Sequence, residues 1–407
     1  MSYTYTDKIK FAYTPNFDSF NRLRVSSPFT LFDSNNRYRD NGLFANSTTG
    51  TAAATFNANE GLVDLTVGTS NGDQIIRETF RVFSYQPGKS LLAMNTFVFG
   101  TAKTNLRQRV GYFGALNGVY IERDGTDIYM VERSTVTGVT SNNRIAKASW
   151  NVDPMDGTGP SGVTLDLSKA QIFWCDFEWL GVGSVRTGFV VNGELITCHV
   201  FHHANIISST YITTASLPIR YEMTNTGITS GGSTLKQICS TVLSEGGYEL
   251  RGTSRSINTP ITSATSLALA GTYYPIVSIR LKAANLDAVV IPTGASLLPA
   301  SAGDYSYRLV SGGVTTGGSW VSAGTDSNVE YNITGSSYSG GNIATQGLLA
   351  QTNQGTSSVQ LSRENIFKFQ LERNSFTSTA LEFTLLVASN GAGDTVHGVI
   401  DWEEITR

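Results

Sequence analysis

The stretch "CHVFHH" places Cys198, His199, His202 and His203 within six residues, the densest group of metal-ligating side chains in the sequence. Strand geometry limits what that group can do. Successive side chains of a strand point to opposite faces, so Cys198 and His202 share one face while His199 and His203 share the other. Two converging ligands fall short of a closed zinc site, and no metal is expected. Acid–base chemistry is a second possibility, since Asp176 and Glu178 lie about 6–7 Å apart on one strand face. Two carboxylates are the minimum equipment of a glycosidase. Arg186 is expected to keep Glu178 ionised and so unfit as a general acid. The loop "NVDPMDGTGPSG", Asn151 to Gly162, sets Asp153 and Asp156 among glycines and prolines. It lacks the spacing and closing glutamate of an EF-hand, so an ordered surface loop is expected, with calcium as the alternative. "GVGSVRTG" has the wrong glycine spacing for a phosphate loop, and no Gly-x-Ser-x-Gly elbow occurs. The chain therefore reads as non-enzymatic and without a cofactor.

The elements that would position these groups are strands. In "AQIFWCDFEWLGVGSVRTGFVVNGELITCHVFHH", the turn signals Gly181-Val182-Gly183 and Asn192-Gly193 divide three strands. Asn-Gly is the strongest short hairpin signal, because both central residues of a type I′ turn need positive φ. Centring the hairpins on those turns gives one apolar face. It carries Phe173, Cys175, Phe177 and Trp179 opposite Val185, Thr187, Phe189 and Val191, and then Ile196, Cys198 and Val200. The other face lines up Glu178, Arg186 and His199 in one cross-strand row. That row reads either as a ligand site or as a solvated opposite-charge pair worth a few tenths of a kcal/mol to about 1. Trp174 falls on the same polar face, where it could stack on a sugar ring.

The composition supports this reading. At 407 residues the chain suits more than one domain, and 40% apolar residues supply real cores. Only 15% of residues are charged, and Gly, Ser, Thr and Asn fill the gap, as short strands with tight turns require. A net charge of −3 leaves no basic footprint for nucleic acid. No stretch reaches the roughly 18 apolar residues of a membrane span, and "MSYTYTDKIKF" has no apolar signal core. Three scattered cysteines do not make a disulfide framework. Period-2 runs recur at Ile75–Tyr85, Leu91–Phe99, Arg109–Phe113, Val119–Glu122 and Ile128–Glu132. Leu235–Leu243 reads equally as a short helix or a strand. Beyond Arg251 the chain turns richer in Gly and Ser, with strands expected at Tyr274–Leu281, Asp287–Ile291, Tyr305–Val310, Asn328–Ile333, Ile366–Leu371, Leu381–Val387 and Gly398–Ile405. The expected fold is all-β: an N-terminal arm over 1–45, then antiparallel, jelly-roll-like β-sandwiches over 46–250 and 251–407.

The segment "FDSFNRLRVSSPFTLFDSNNRY", Phe17 to Tyr38, carries too much charge for a core strand and too many phenylalanines for a tail. Phe17, Phe20, Phe29 and Phe32 need a surface, with Arg22, Arg24, Asp33 and Arg37 at its rim. The segment either folds back on its own domain or anchors the chain to a neighbouring protein.

That segment resembles the start of virion structural proteins of tailed bacteriophages, notably contractile-tailed phages of marine cyanobacteria. The resemblance continues through "RETFRVFSYQPGKSLL", "NLRQRVGYFG", "WNVDPMDGTGPSG", "FEWLGVGSVRTGFV" and "LPIRYEM", and covers about Phe17 to Leu250. It implies a non-enzymatic structural protein located in the virion, made in the host cytoplasm and assembled with other virion proteins and copies of itself. A peripheral fibre, spike or decoration protein is the favoured place in the particle. The Asn-Gly hairpin is also similar to concanavalin-type jelly rolls, which implies host surface polysaccharide as an alternative partner.

Overall fold

The computed structural model describes residues 27–246, 252–351, 359–360 and 370–405. The chain is all-β, and its strands pair antiparallel throughout. Among the described residues two large hydrophobic cores form, one drawn from Phe32 to Val242 and the other from Leu267 to Trp402, with a small third cluster of Phe113, Tyr120 and Val131.

Two sheets enclose the first core. The eight-stranded sheet runs Glu194–Phe201, Val185–Val191, Gln171–Phe177, Leu91–Val98, Ser233–Glu245, Leu62–Val67 and Ala53–Asn57. Pro28–Ser34 completes it by pairing with Ser240–Glu245, beyond the end of the Leu62–Val67 ladder. The seven-stranded sheet runs Ser141–Ala146, Asp127–Ser134, Gly118–Asp124, Leu106–Phe113, Ile219–Asn225, Gln74–Thr79 and Phe44–Thr49. Alternation builds the inner faces, as in Leu91–Val98, where every second residue is buried. Aromatic rings fill the space between the sheets. Tyr112 of one sheet meets Phe177 of the other edge-on at 5.2 Å. Arg77 reaches across the interior from the seven-stranded sheet, donating to Gln237 Oε1 at 2.9 Å and Asn46 Oδ1 at 2.9 Å and pairing with Asp40 at 2.7 Å. Leu235–Leu243, left open between helix and strand, lies within the strand Ser233–Glu245.

The first hairpin keeps the expected residues on one face but is shifted by two residues from the register of a turn centred on Gly181-Val182-Gly183: Phe173 stands opposite Phe189, Cys175 opposite Thr187 and Phe177 opposite Val185. The turn centres on Gly181 instead, with the Glu178 N–H donating to the Ser184 carbonyl at 3.2 Å. Asn192 (φ 53°) and Gly193 (φ 84°) adopt the left-handed conformations that the Asn-Gly turn requires. The second hairpin begins as expected with Phe189 opposite Ile196, then slips. A bulge between Thr187 and Gly188 sets Thr187 opposite His199 and Val185 opposite Phe201, leaving Cys198 as the extra residue. The Cys198 carbonyl is taken up by the Val152 and Asp153 N–H groups at 3.1 and 3.0 Å.

The second core lies between a five-stranded and a six-stranded sheet. In the first, Asp394–Glu404 is flanked by Thr253–Asn258 and Thr265–Leu267 on one side and Val290–Pro299 on the other, with Val359–Gln360 beyond. The second runs Val321–Ser322, Val329–Asn332, Tyr274–Leu281, Phe383–Ser389, Gly303–Thr316 and Ser337–Gln351. The strand expected at Ile366–Leu371 falls largely on 361–369, outside the described residues.

A return segment of the second unit is stitched to the first. Gln370 donates to Ser84 Oγ at 2.7 Å, Arg81 pairs with Glu372 at 3.1 Å, and the Ser375 N–H donates to the Phe80 carbonyl at 2.8 Å. Burial pushes the Glu372 carboxyl up to about 7, although Arg81 opposes the shift.

Candidate functional site

The outer face of the seven-stranded sheet holds the densest charged constellation among the described residues. Glu222 stands opposite Arg109 across one ladder, and Arg109 stands opposite Glu122 across the next. The Arg109 Nε donates to Glu122 Oε2 at 2.6 Å and its Nη1 to Glu222 Oε1 at 3.0 Å. Arg144, on the edge strand, continues the row with Nη2 at 2.6 Å from Glu122 and 2.8 Å from Asp124. Arg220 sits one step along, its Nε at 3.5 Å from both Glu78 Oε2 and Glu222 Oε2. Arg109, Glu122, Glu222, Arg220 and Glu78 are all buried. Three guanidinium groups clasp aromatic rings in the same layer: Arg109 and Arg133 lie over Tyr120 at 5.4 and 5.1 Å, and Arg220 lies over Phe113 at 5.4 Å. The Tyr120 hydroxyl accepts from Arg133 and donates to Asn142, each at 3.1 Å.

The glutamates in this layer are driven apart. Burial disfavours the charge on Glu222, but Arg220 and Arg109 outweigh it and hold the carboxyl below its usual range. At Glu78 burial outweighs Arg220, and the carboxyl is raised. Opposed shifts of this kind can mark an acid–base pair. Here exposure decides the matter: Glu78 and Glu222 are 3% and 4% exposed, so no substrate bond reaches between them. The sequence carried a signal for this layer in three period-2 charge runs, Arg107-Gln-Arg109, Glu122-Arg-Asp124 and Arg220-Tyr-Glu222.

The face singled out from sequence is built differently. Arg186 pairs with Asp176, donating from Nε at 3.0 Å and from Nη2, and not with Glu178. Ser90 also donates to Asp176. Glu178 lies beyond the strand end, where its Oε2 accepts from the Ser184 N–H at 3.3 Å. The expected row of Glu178, Arg186 and His199 is absent for two reasons: the two-residue shift of the first hairpin sets Arg186 opposite Asp176, and the bulge sets it opposite Val200 in place of His199. His199 is buried, accepts from the Asn151 N–H at 3.3 Å and meets Phe201 edge-on at 4.6 Å. Burial, with a further push from His202, lowers its pKa to about 4. Trp174 is 3% exposed and cannot serve as a sugar platform. Its indole lies over Gly188, where a Cβ would stand 3.0 Å from the ring. What remains exposed is a cleft of about 590 Å³ lined by Tyr85, Lys89, Glu178, Leu180, Arg186 and His202.

The "CHVFHH" residues part company. Burial pushes the Cys198 thiol up to about 12, His202 is exposed beside Ser184, and His203 is buried elsewhere. Among the described residues no three His, Cys, Asp or Glu side chains form a metal-binding group. In the 151–162 loop, Asp153 accepts from the Met155 and Ser161 N–H groups, each at 2.8 Å, and Asp156 from the Thr158 N–H at 2.9 Å. These carboxylates brace turns.

His203 is the most informative histidine. Its Nδ1 lies 2.6 Å from the Gly183 carbonyl and its Nε2 2.7 Å from Glu132, while the ring stacks on Tyr211 at 4.0 Å. A carbonyl and a carboxylate can only accept, so both ring nitrogens donate and the ring is an imidazolium. Burial opposes that charge, but the bond to Glu132 and its negative charge raise the pKa above the ordinary histidine value.

Phe17, Phe20, Arg22 and Arg24 lie outside the described residues. Phe29 is 37% exposed at the start of its strand, and Asp33 and Arg37 are exposed. Phe32 packs inside its own unit, where the sequence suggested a partner surface. Its ring lies 5.0 Å from Phe83 and 5.9 Å from Phe44, because Pro28–Ser34 is locked to Ser240–Glu245 by a strand ladder.

No protein-family model and no curated protein matches the chain. Among solved structures the chain is similar to a Bacillus licheniformis beta-glucanase, at 12% identity and a TM-score of 0.34 over 53% of this chain and 98% of that one. It is similar at 12% identity and a TM-score of 0.31 to a carbohydrate esterase of Shiga toxin-encoding bacteriophage phi24B, over 54% of this chain and 100% of that one. A legume lectin-like domain from Entamoeba histolytica gives 11% identity and a TM-score of 0.28 over 48% and 88%. Superpositions this loose transfer neither an activity nor a ligand.

Replacing Arg109 by Met removes the cation and leaves Glu122 and Glu222 facing a similar volume without it. Urea unfolding is expected to show a loss of about 3–5 kcal/mol, the usual cost of breaking a buried pair from one side. The His203–Glu132 pair makes stability depend on pH. A raised folded-state pKa means that its contribution is complete below the unfolded histidine value and is lost as pH rises through the folded one. The melting temperature of the native protein is therefore expected to fall as pH rises beyond the ordinary histidine value, and His203→Gln to flatten that fall. An unchanged slope in the variant removes the pair as its cause.

Proposed function

We propose that the chain is a non-enzymatic structural component of a tailed-phage virion, a peripheral fibre, spike or decoration protein that assembles with other virion proteins and with copies of itself. One observation carries this reading: the motifs on which the sequence resembles that family supply framework. Arg77 and Glu78 of "RETFRVFSYQPGKSLL", Arg109 and Tyr112 of "NLRQRVGYFG", and Arg220 and Glu222 of "LPIRYEM" are all buried. Each of them makes hydrogen bonds or ion pairs within the first unit. An enzyme of this fold would need carboxylates free to exchange protons in an open cleft. The clustered ones here are buried and ion-paired.

A second reading, binding of host surface polysaccharide, is favoured by a cleft of about 720 Å³ between the two units. Trp179, Leu116 and Phe376 supply apolar wall, and Asn117, Thr213 and Asn285 supply amides and a hydroxyl. Ligand sites gather at such junctions.

Mass spectrometry and cryo-EM of purified particles test the first reading. The protein is expected in stoichiometric copies, and its absence from purified virions overturns the proposal. Deleting residues 1–26, which spares the Pro28–Ser34 strand, is expected to leave a folded protein that no longer incorporates; normal incorporation dismisses the anchoring role of Phe17, Phe20, Arg22 and Arg24. For the second reading, host polysaccharide is expected to quench tryptophan emission in the native protein and not in Trp179→Ala.

A further inference from the structure

The strand Ser337–Gln351 is the longest among the described residues, at 15 residues, and it stands at the edge of the six-stranded sheet. Its sequence, "SYSGGNIATQGLLAQ", contains no charged residue and no proline. Soluble proteins protect a long edge with lysines, prolines, shortness or a covering loop, because its unpaired backbone is a template for another strand. Three other edges among the described residues follow that rule. Glu194–Phe201 is covered by Asn151, whose Nδ2 donates to the Val200 carbonyl and whose Oδ1 accepts from the Val200 N–H, each at 2.9 Å. Ser141–Ala146 carries Arg144, and Ala53–Asn57 is only five residues long. Ser337–Gln351 has a bulge beside Ile343 and left-handed Gly340 and Gly341, which interrupt its first half. Its second half is regular: Thr345 to Leu349 pair in unbroken register with Leu309 to Tyr305. No strand among the described residues pairs with its outer edge. Leu348 is 83% exposed there and Ile343 49%.

We propose that Thr345–Leu349 is a self-association edge, pairing antiparallel with the same segment of a second copy about a two-fold axis at Gly347. The missing charge selects this partner. In an isologous pair each residue near the axis meets its own kind or its close neighbour, so any charge there opposes a like charge. A strand without charge can pair with itself. Centred at Gly347, the register sets Leu348 against Gln346 of the other copy and covers the most exposed leucine among the described residues. At Gly347 the ring of the cross-strand Tyr307 fills the place a Cβ would take on that face of the sheet. This gives form to the assembly with copies of itself proposed above, and rests on that part of the reading alone.

Sedimentation velocity of the purified full chain over a concentration series is expected to show a monomer–dimer equilibrium. Gln346→Lys with Leu348→Lys sets lysines against lysines and is expected to raise the dimer dissociation constant about tenfold or more. Gln346→Glu with Leu348→Glu is expected to do the same, and an equimolar mixture of the two variants to re-form dimers. Both residues are exposed, and Gln346 gives up only an exposed bond from Arg308, so circular dichroism is expected to match the native protein and thermal unfolding to shift by no more than a surface pair allows. As a readout without substitution, amide exchange at Thr345–Leu349 in the native protein is expected to slow with rising concentration. A monomer at every concentration, an assembly unmoved by both charge variants, or exchange independent of concentration overturns the proposal. Because no particle is involved, absence from virions refutes the virion assignment and leaves this result standing.

Discussion

Two glutamates meet on one guanidinium at Arg109, and the outer face of the first unit depends on that meeting. A sheet wrapped on one side around an apolar core still has a second side to settle. Here Arg109, Arg220 and Arg144 alternate with Glu78, Glu122, Glu222 and Asp124 across strands distant in sequence. Such a layer gains little net energy over an apolar one, since desolvation offsets most of the Coulomb attraction. It does specify register: sliding one strand by two residues keeps every apolar contact type but puts like charges opposite one another. The clasped rings of Tyr120 and Phe113 add to that selectivity, because Arg109, Arg133 and Arg220 share these two rings and lose them if a strand slides.

The fold was legible where local chemistry dictates it. The Asn192-Gly193 turn and the alternation of Phe173, Cys175 and Phe177 suffice to place three strands and the first pairs of the second hairpin, whereas the Gly181-Val182-Gly183 signal put the first hairpin two residues out of register. The bulge at Cys198 was not legible, because its cause lies 45 residues away in the N–H groups of Val152 and Asp153. Misplacing that one residue reversed the faces of everything after it, which removed His199 from the row, while the two-residue shift of the first hairpin removed Glu178. Trp174 misled for a related reason. Alternation put it on the polar face correctly, but gave no sign that Gly188 opens a seat in which the indole is buried. The charge rows could have been found, since Arg-x-Arg, Glu-x-Asp and Arg-x-Glu at period 2 mark one strand face. Their pairing partners could not, because the Ile219–Asn225 strand enters the sheet far from its sequence neighbours. Ser337–Gln351 escaped notice because its glycines and serines give no alternation to read.

The two units are coupled through few groups, and those groups are selective. Arg81 holds Glu372 of the second unit and the Leu31 carbonyl of the first, at 3.1 and 2.9 Å, so one side chain fixes the N-terminal strand and the return segment together. Whatever the residues before Pro28 engage, their path starts at this junction, beside a cleft of about 310 Å³ lined by Phe29, Ile291 and Gln370. Force applied to that leading segment would be borne first by a strand ladder and a buried phenylalanine, not by a flexible linker.

The strand Asp394–Glu404 pairs with three others, so the five-stranded sheet has its middle supplied by the latest-made described residues. Thr253–Asn258 and Val290–Pro299 are synthesised 95 residues or more earlier and have no ladder to each other. Until Glu404 has left the ribosome they wait with open edges, while the first unit already has every described strand it needs. Synthesis therefore separates the two units in time, and the second closes in a single late step.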